Sequence, residues 1–111
     1  MPNQSVDLDL VFKALADPTR RAVLERLSRG PASTSELARS FGMALPSFAQ
    51  HLDALEASGL VTSDKTGRVR TWQLASRSLK AVSRWLDARR RFFEQRADRP
   101  DAASPAAKRK G

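Results

Sequence analysis

The stretch ALPSFAQHLDALEASGLV, residues 44–61, decides how the chain is read. Phe48, Leu52 and Leu55 recur at the spacing of one buried helical face, and Ser58-Gly59 ends the run. The opposite face is unusual for a solvated helix. Its first turns carry Pro46, Ser47, Ala49 and Gln50 and no Lys, Arg or Glu, in a chain with 20 Lys plus Arg. On a helical wheel Pro46, Gln50 and Ala57 lie opposite the apolar row, with Ser47 and Ala49 towards its edges. Short uncharged side chains suit a helix that another surface approaches closely. A plain surface helix that happens to lack charge is the competing reading, and the flanking segments separate the two.

Upstream, Leu8, Leu10, Val11, Ala14 and Leu15 form a short apolar stripe that predicts a helix over residues 7–16. Asp17 is placed to cap the next helix, with Pro18 at its first position. That helix, residues 18–28, buries Val23, Leu24 and Leu27, and Arg20, Arg21 and Arg26 lie mostly elsewhere around it. Gly30-Pro31 ends it. Ser33-Thr34-Ser35-Glu36 has the form of a capping box and opens a third helix, Thr34 to about Ser40, with Leu37, Ala38 and Phe41 inward. Gly42 allows a sharp turn, and the fourth helix starts near Leu45. Met43 and Phe48 are placed as a hydrophobic staple across its start, and Ala44 is a poor N-cap.

Downstream the period changes. LVTSDKTGRVRTWQL, residues 60–74, reads as a β-hairpin with its tip at Lys65–Arg68. Residues 76–97 return to helical character, with Leu79, Val82, Leu86 and Phe93 in one row and Trp85 and Phe92 in an adjacent one. The expected fold is mainly α with a small β-hairpin, in the order α-α-α-α-β-β-α. Two short helices joined at a glycine turn, the second followed by a hairpin, describe a winged helix-turn-helix. Its expected limits are residues 7–98, after a flexible N-terminus (1–6) and before a disordered Ala/Pro/Lys-rich basic tail (99–111).

The 111 residues fit one domain with a modest core. Lys plus Arg number 20 against 12 Asp plus Glu, a formal charge of +8, which favours an anionic partner. Nucleic acid leads, ahead of a membrane surface, an acidic protein or a merely basic soluble chain. The absence of cysteine excludes disulfides, thiolate metal sites within one chain and thiol redox sensing. MPNQSVDLDL shows no secretory pattern, and no apolar run nears the roughly 20 residues that span a bilayer. We expect a cytoplasmic protein without membrane attachment or cofactor.

With this fold the uncharged face acquires a reason. A recognition helix inserts its N-terminal half into the major groove, where Gln pairs with adenine, Ser donates or accepts, and Ala touches a thymine methyl. The expected helix contacts are Leu45, Pro46, Ser47, Ala49, Gln50 and His51, with Ser47 and Gln50 as the main base readers and Leu45 and Ala49 supplying apolar contact. His51, the one histidine, flanks the buried stripe and suits packing or a phosphate; alone and without Cys it makes no metal site. Thr34 and Ser35 open the third helix where free N–H groups favour phosphate, and Arg39 adds charge. Lys65, Arg68 and Arg70 surround the hairpin tip, Arg68 and Arg70 on one strand face, for phosphate or minor-groove contact or, alternatively, as charges protecting a strand edge. Trp85, Leu86, Phe92 and Phe93 would leave a small domain with a large apolar patch, which pairing with a second copy buries.

FKALADPTRRAVLERLS, TSELARSFGMALPSFAQHLDALEASGLV and TGRVRTWQL together resemble the ArsR/SmtB-type winged-helix repressors over about residues 8–93. The resemblance implies a homodimer that binds double-stranded DNA at an inverted-repeat operator and represses transcription. It also implies that the first and last helices build the dimer interface, here Leu8, Val11, Phe12, Leu79, Val82, Trp85, Leu86, Arg89, Phe92 and Phe93. The chain departs from the metal sensors of that family. No Cys stands near SELARS, and the last helix offers Asp87, Glu94 and Asp98 but no His. Ser is frequent in the family where Ala44 and Ala49 stand here. The chain resembles the branch with ALPSF-x-QHL, in which an inducing ligand is often not evident. A winged-helix module that binds protein or RNA is the alternative, suggested by the basic, aromatic RWLDARRRFFEQRADR. No Cys–His pair, phosphate-cradling glycine loop or metal cluster points to an enzyme.

Overall fold

The computed structural model describes residues 6–97. The expected N-terminal and C-terminal tails, with Asp98 and Lys108-Arg109-Lys110, lie outside the described residues, Val6 excepted. The elements are α1 (Leu8–Leu15), α2 (Pro18–Leu27), β1 (Ala32–Ser33), α3 (Thr34–Phe41), α4 (Leu45–Ala57), β2 (Val61–Thr66), β3 (Val69–Leu74) and α5 (Ser76–Ala97). The chain divides into two compact units, one up to Ala81 and one from Val82.

The helix starts follow from side-chain oxygens. Asp7 accepts from the backbone N–H groups of Asp9 and Leu10 at 3.0 and 3.3 Å. Asp17 accepts from that of Arg20 at 3.1 Å, with Pro18 in the first turn. At α3 the box is reciprocal: the Glu36 N–H donates to Ser33 Oγ at 3.1 Å and the Ser33 N–H to Glu36 Oε1 at 2.8 Å. Gly42 then takes φ +63°, the left-handed conformation that turns the chain into α4.

In the first unit α1, α2 and α3 all pack on α4. Val23, Leu27, Leu37, Phe48, Leu52 and Leu55 are buried there, joined by Leu60 and Val61 at the base of the hairpin. Phe48 is fully buried, and the Phe41 ring lies 5.5 Å from its ring. Val11, expected on a pairing surface, is 0% exposed, because α1 presses that side of its stripe onto α2 and α4. Val82, expected there too, is also buried, whereas Phe12 and Leu79 are exposed.

Two features differ from the sequence reading. The sheet has three strands in the order β1-β3-β2, because Ala32 and Ser33 pair with Trp72 and Thr71. A two-residue strand is too short to show alternation and is defined only by its partner. The hairpin turn also lies one residue later than expected. Thr66 pairs with Val69, so Gly67 and Arg68 form the loop, and Gly67 at φ +63° supplies the positive φ that a two-residue hairpin needs. Arg68 is therefore in the loop and does not share a strand face with Arg70. Lys65 is the residue directly opposite Arg70.

After α4, Gly59 adopts φ +81°, and a Cβ there would stand 2.6 Å from Ser78 Oγ. That hydroxyl donates to the Ser58 carbonyl at 2.7 Å, tying the end of α4 to the first turn of α5. Gly59→Ala is expected to destabilise the protein by about 1–3 kcal/mol, from the left-handed backbone and the lost approach. Chemical denaturation measures this, and an unchanged midpoint would contradict it.

A second expectation concerns acid. Donation by the Ser33 backbone N–H, and then by its hydroxyl, holds the Glu36 carboxyl below the usual carboxylate range. A carboxylate whose pKa falls on folding stabilises fully above its unfolded pKa, about 4.5 for Glu36, and loses that contribution as the pH drops through the lower folded value. Glu36→Gln should lower the melting temperature at pH 7 and differ little from the parent protein near pH 3. A gap that stays constant between the two pH values would contradict the assignment.

Candidate nucleic-acid interface

The burial of Phe48, Leu52 and Leu55 turns the other side of α4 outward. Leu45, Pro46, Ser47 and Gln50 are exposed, and Ala49 is half-buried. Asp53 and Glu56 are also exposed, one and two turns further on. Carboxylates repel phosphate, so only the first two turns of α4 suit close approach to DNA. Ala44, the N-cap residue, makes no side-chain hydrogen bond to the helix start.

His51 points sideways into the contact with α2. Its Nδ1 accepts from Arg20 Nε at 3.2 Å and lies 3.7 Å from Asp17 Oδ2. The Arg20 backbone N–H holds the Asp17 carboxyl below the usual range, so Asp17 is ionised beside this pair at neutral pH. Of the two sequence-level roles for His51, the geometry displays helix-to-helix packing.

The wing, the β2–β3 hairpin, is tied to α4 and α3 through Ser63, Glu56 and Trp72, which the sequence reading did not single out, together with Arg70 and Thr34, which it did. Arg70 donates to Ser63 Oγ at 2.9 Å, and that hydroxyl donates to Glu56 Oε2 at 3.0 Å. Trp72 Nε1 donates to Thr34 Oγ1 at 2.8 Å, linking β3 to the first residue of α3. The partners are 38 residues apart, so only a Trp near the hairpin base and a hydroxyl at a helix start hinted at the pair. A cleft of about 250 Å³ lined by Ser33, Thr34, Ser35, Arg68, Val69 and Arg70 brings the start of α3 and the wing arginines together. Lys65 and Arg39 are exposed and do not line it.

The second unit carries the apolar face of α5. Trp85, Leu86, Phe92 and Phe93 are exposed, Phe93 by 60%. A groove of about 530 Å³ runs between Trp85, Leu86, Arg89, Arg90, Phe93 and Glu94. The Arg89 guanidinium lies 4.7 Å above the Trp85 ring, and that of Arg96 lies 5.3 Å from Phe92, so both arginines extend the aromatic surface. Asp87 and Glu94 both pair with Arg90, at 2.6 and 3.9 Å. Among the described residues no group of three or more His, Cys, Asp or Glu could hold a metal ion, and no helix is long and apolar enough to cross a membrane.

Comparison with known proteins agrees with this geometry. A family described as a helix-turn-helix domain matches residues 15–64. An HTH-type transcriptional regulator of Mycobacterium tuberculosis is 42% identical over 79 residues, 71% of this chain and 74% of that protein. A solved ArsR family transcriptional regulator superposes with a TM-score of 0.76 at 54% identity, covering 80% of this chain and 92% of its own. This chain belongs to the ArsR/SmtB family of winged-helix regulators. Another relative, the transcriptional repressor SdpR of Bacillus subtilis, is 30% identical over 76 residues, 68% of this chain and 84% of that protein.

As an ArsR/SmtB-family protein the chain is a DNA-binding transcriptional regulator and not an enzyme. It has no Cys and one His, and that His is engaged by Arg20. Ala44→Ser restores a side-chain acceptor at the uncapped start of α4. It is expected to raise stability by about 1 kcal/mol, read as a higher denaturation midpoint, and an unchanged midpoint would show that the α4 amides are satisfied without a cap.

Proposed function

We propose that the protein is a homodimeric repressor that binds an inverted-repeat operator through α4 and the wing. The observation that carries this reading is a contrast between two exposed parts of the first unit. The exposed start of α4 bears Ser47 and Gln50 and no charge, while the adjoining wing bears Lys65, Arg68 and Arg70. An uncharged, hydrogen-bonding centre flanked by cations fits base edges between two phosphate strands. Ser47 and Gln50 read bases, Leu45, Pro46 and Ala49 give apolar contact, and Thr34, Ser35, Arg39 and the wing hold the backbone. The two half-sites lie about one helical turn or a small multiple apart.

The second copy pairs through the exposed side chains of α5, with Leu8 and Phe12 of α1. Residues 7–98 then act as one DNA-binding and dimerisation domain in the cytoplasm, where bacterial-type operators lie. Occupying a promoter excludes the polymerase. A protein- or RNA-binding module is the second reading, favoured by the exposed aromatic and basic side chains of α5.

The test is a titration against the upstream promoter region of its own gene, with random DNA as competitor. Binding that survives competitor at two chains per site is expected. Gln50→Ala should weaken operator binding by about 1–3 kcal/mol and leave random-DNA binding unchanged. Arg68→Ala should weaken both and flatten the salt dependence. If both variants bind the operator like the parent protein, the assignment of α4 and the wing is wrong. Weak binding to both DNAs by the parent would favour the interaction module.

A further inference from the structure

α2 holds three arginines with different fates. Arg21 donates to the Leu15 carbonyl at 2.7 Å and Arg26 to the Gly30 carbonyl at 3.0 Å, both of them closing local turns. Arg20 instead reaches across to the recognition helix and gives its Nε–H to His51 Nδ1. The ion pairs among the described residues join His51 to Asp17 and Arg90 to Asp87 and Glu94, and none uses the Arg20 guanidinium. Its terminal nitrogens carry no hydrogen bond among the described residues. Arg20 is only half-buried.

A guanidinium has five N–H donors in a rigid fork. A bond from Nε to the imidazole nitrogen fixes the plane of that fork, and the Asp17 carboxylate beside the pair makes no ion pair or side-chain hydrogen bond with the guanidinium among the described residues. His51 follows Ser47 by four residues and so lies on the same edge of α4. The opposite edge carries Glu56, which binds the wing through Ser63 and Arg70. The base-reading face of α4 is thus bordered by the wing on one edge and by Arg20 on the other.

We infer that Arg20 is a further DNA-backbone contact, held in place by His51, that grips a phosphate on the Ser47 edge of α4. The inference rests on the α4 reading above. His51 acts here as a positioning residue, and its contribution passes through Arg20.

Salt titrations test this on random-sequence duplex as well as on the operator, since a phosphate contact is indifferent to sequence. R20Q is expected to weaken binding to both DNAs by a similar factor. It should flatten the slope of log K against log salt by about 0.9 for each Arg20 in the complex. R20K, which keeps the charge and loses the fork, should retain the slope while affinity falls. H51A should weaken the parent protein and have no further effect in R20Q. If R20Q proves unfolded, the Arg20 Nε–Hε resonance of the parent protein, assigned by its loss in R20K, is expected to shift on adding random duplex. A parental slope in folded R20Q, an unmoved resonance, or an H51A effect that persists in R20Q would overturn the inference. A parent protein that binds neither DNA would instead overturn the α4 reading itself.

Discussion

Burial of the Phe48 ring sets the rotation of α4 about its own axis, and the outward chemistry of that helix follows from it. Phe48 is wholly enclosed, with Phe41 against it and Leu52 and Leu55 below. Turning the helix by one residue, about 100°, would expose an aromatic ring and push Ser47 or Ala49 into its place. The loss of a buried Phe is worth about 3–5 kcal/mol, a large part of the stability of a small domain. Pro46, Ser47 and Gln50 face outward because the other side of the helix has no alternative.

Around that pivot, hydroxyl groups hold neighbouring elements in register. Ser33 and Glu36 fix the start of α3, Thr34 receives the Trp72 indole, Ser63 bridges Glu56 and Arg70, and Ser78 meets the Ser58 carbonyl over Gly59. Each bond is modest on its own, about 1 kcal/mol. Together they join the wing to both helices of the helix-turn-helix, so the wing arginines have a defined place relative to α4 and α3. The acidic side chains fall where they help. Glu36 caps, Glu56 anchors the wing, and Asp17 caps α2, while the first two turns of α4 stay free of negative charge.

The helices were legible because their signals are local. Asp17-Pro18, the Ser33–Glu36 box and Gly42 are stop and start marks that operate within four residues, and the apolar spacings of α2, α3 and α4 name the buried side chains, with Leu24 and Phe41 only half-buried at the edges. The Ser47 and Gln50 face was legible for the same reason, since three apolar residues determine which side of a helix is left over. The turn was misplaced by one residue because Asp64-Lys65-Thr66-Gly67 also has turn chemistry. The cross-strand pairing of Thr66 with Val69 decided it.

The sequence alone determined the five helices, the hairpin and the uncharged face of α4, because periodicity and caps act over a few residues, and its motifs carried the resemblance to the family. Tertiary structure decided what distant residues do to one another. It placed Val11 inside the single chain, made a strand of Ala32-Ser33, turned His51 onto Arg20 and joined Trp72 to Thr34. Those outcomes depend on how helices and strands pack in three dimensions, and no spacing along the chain encodes a hydrogen bond between partners 31 or 38 residues apart.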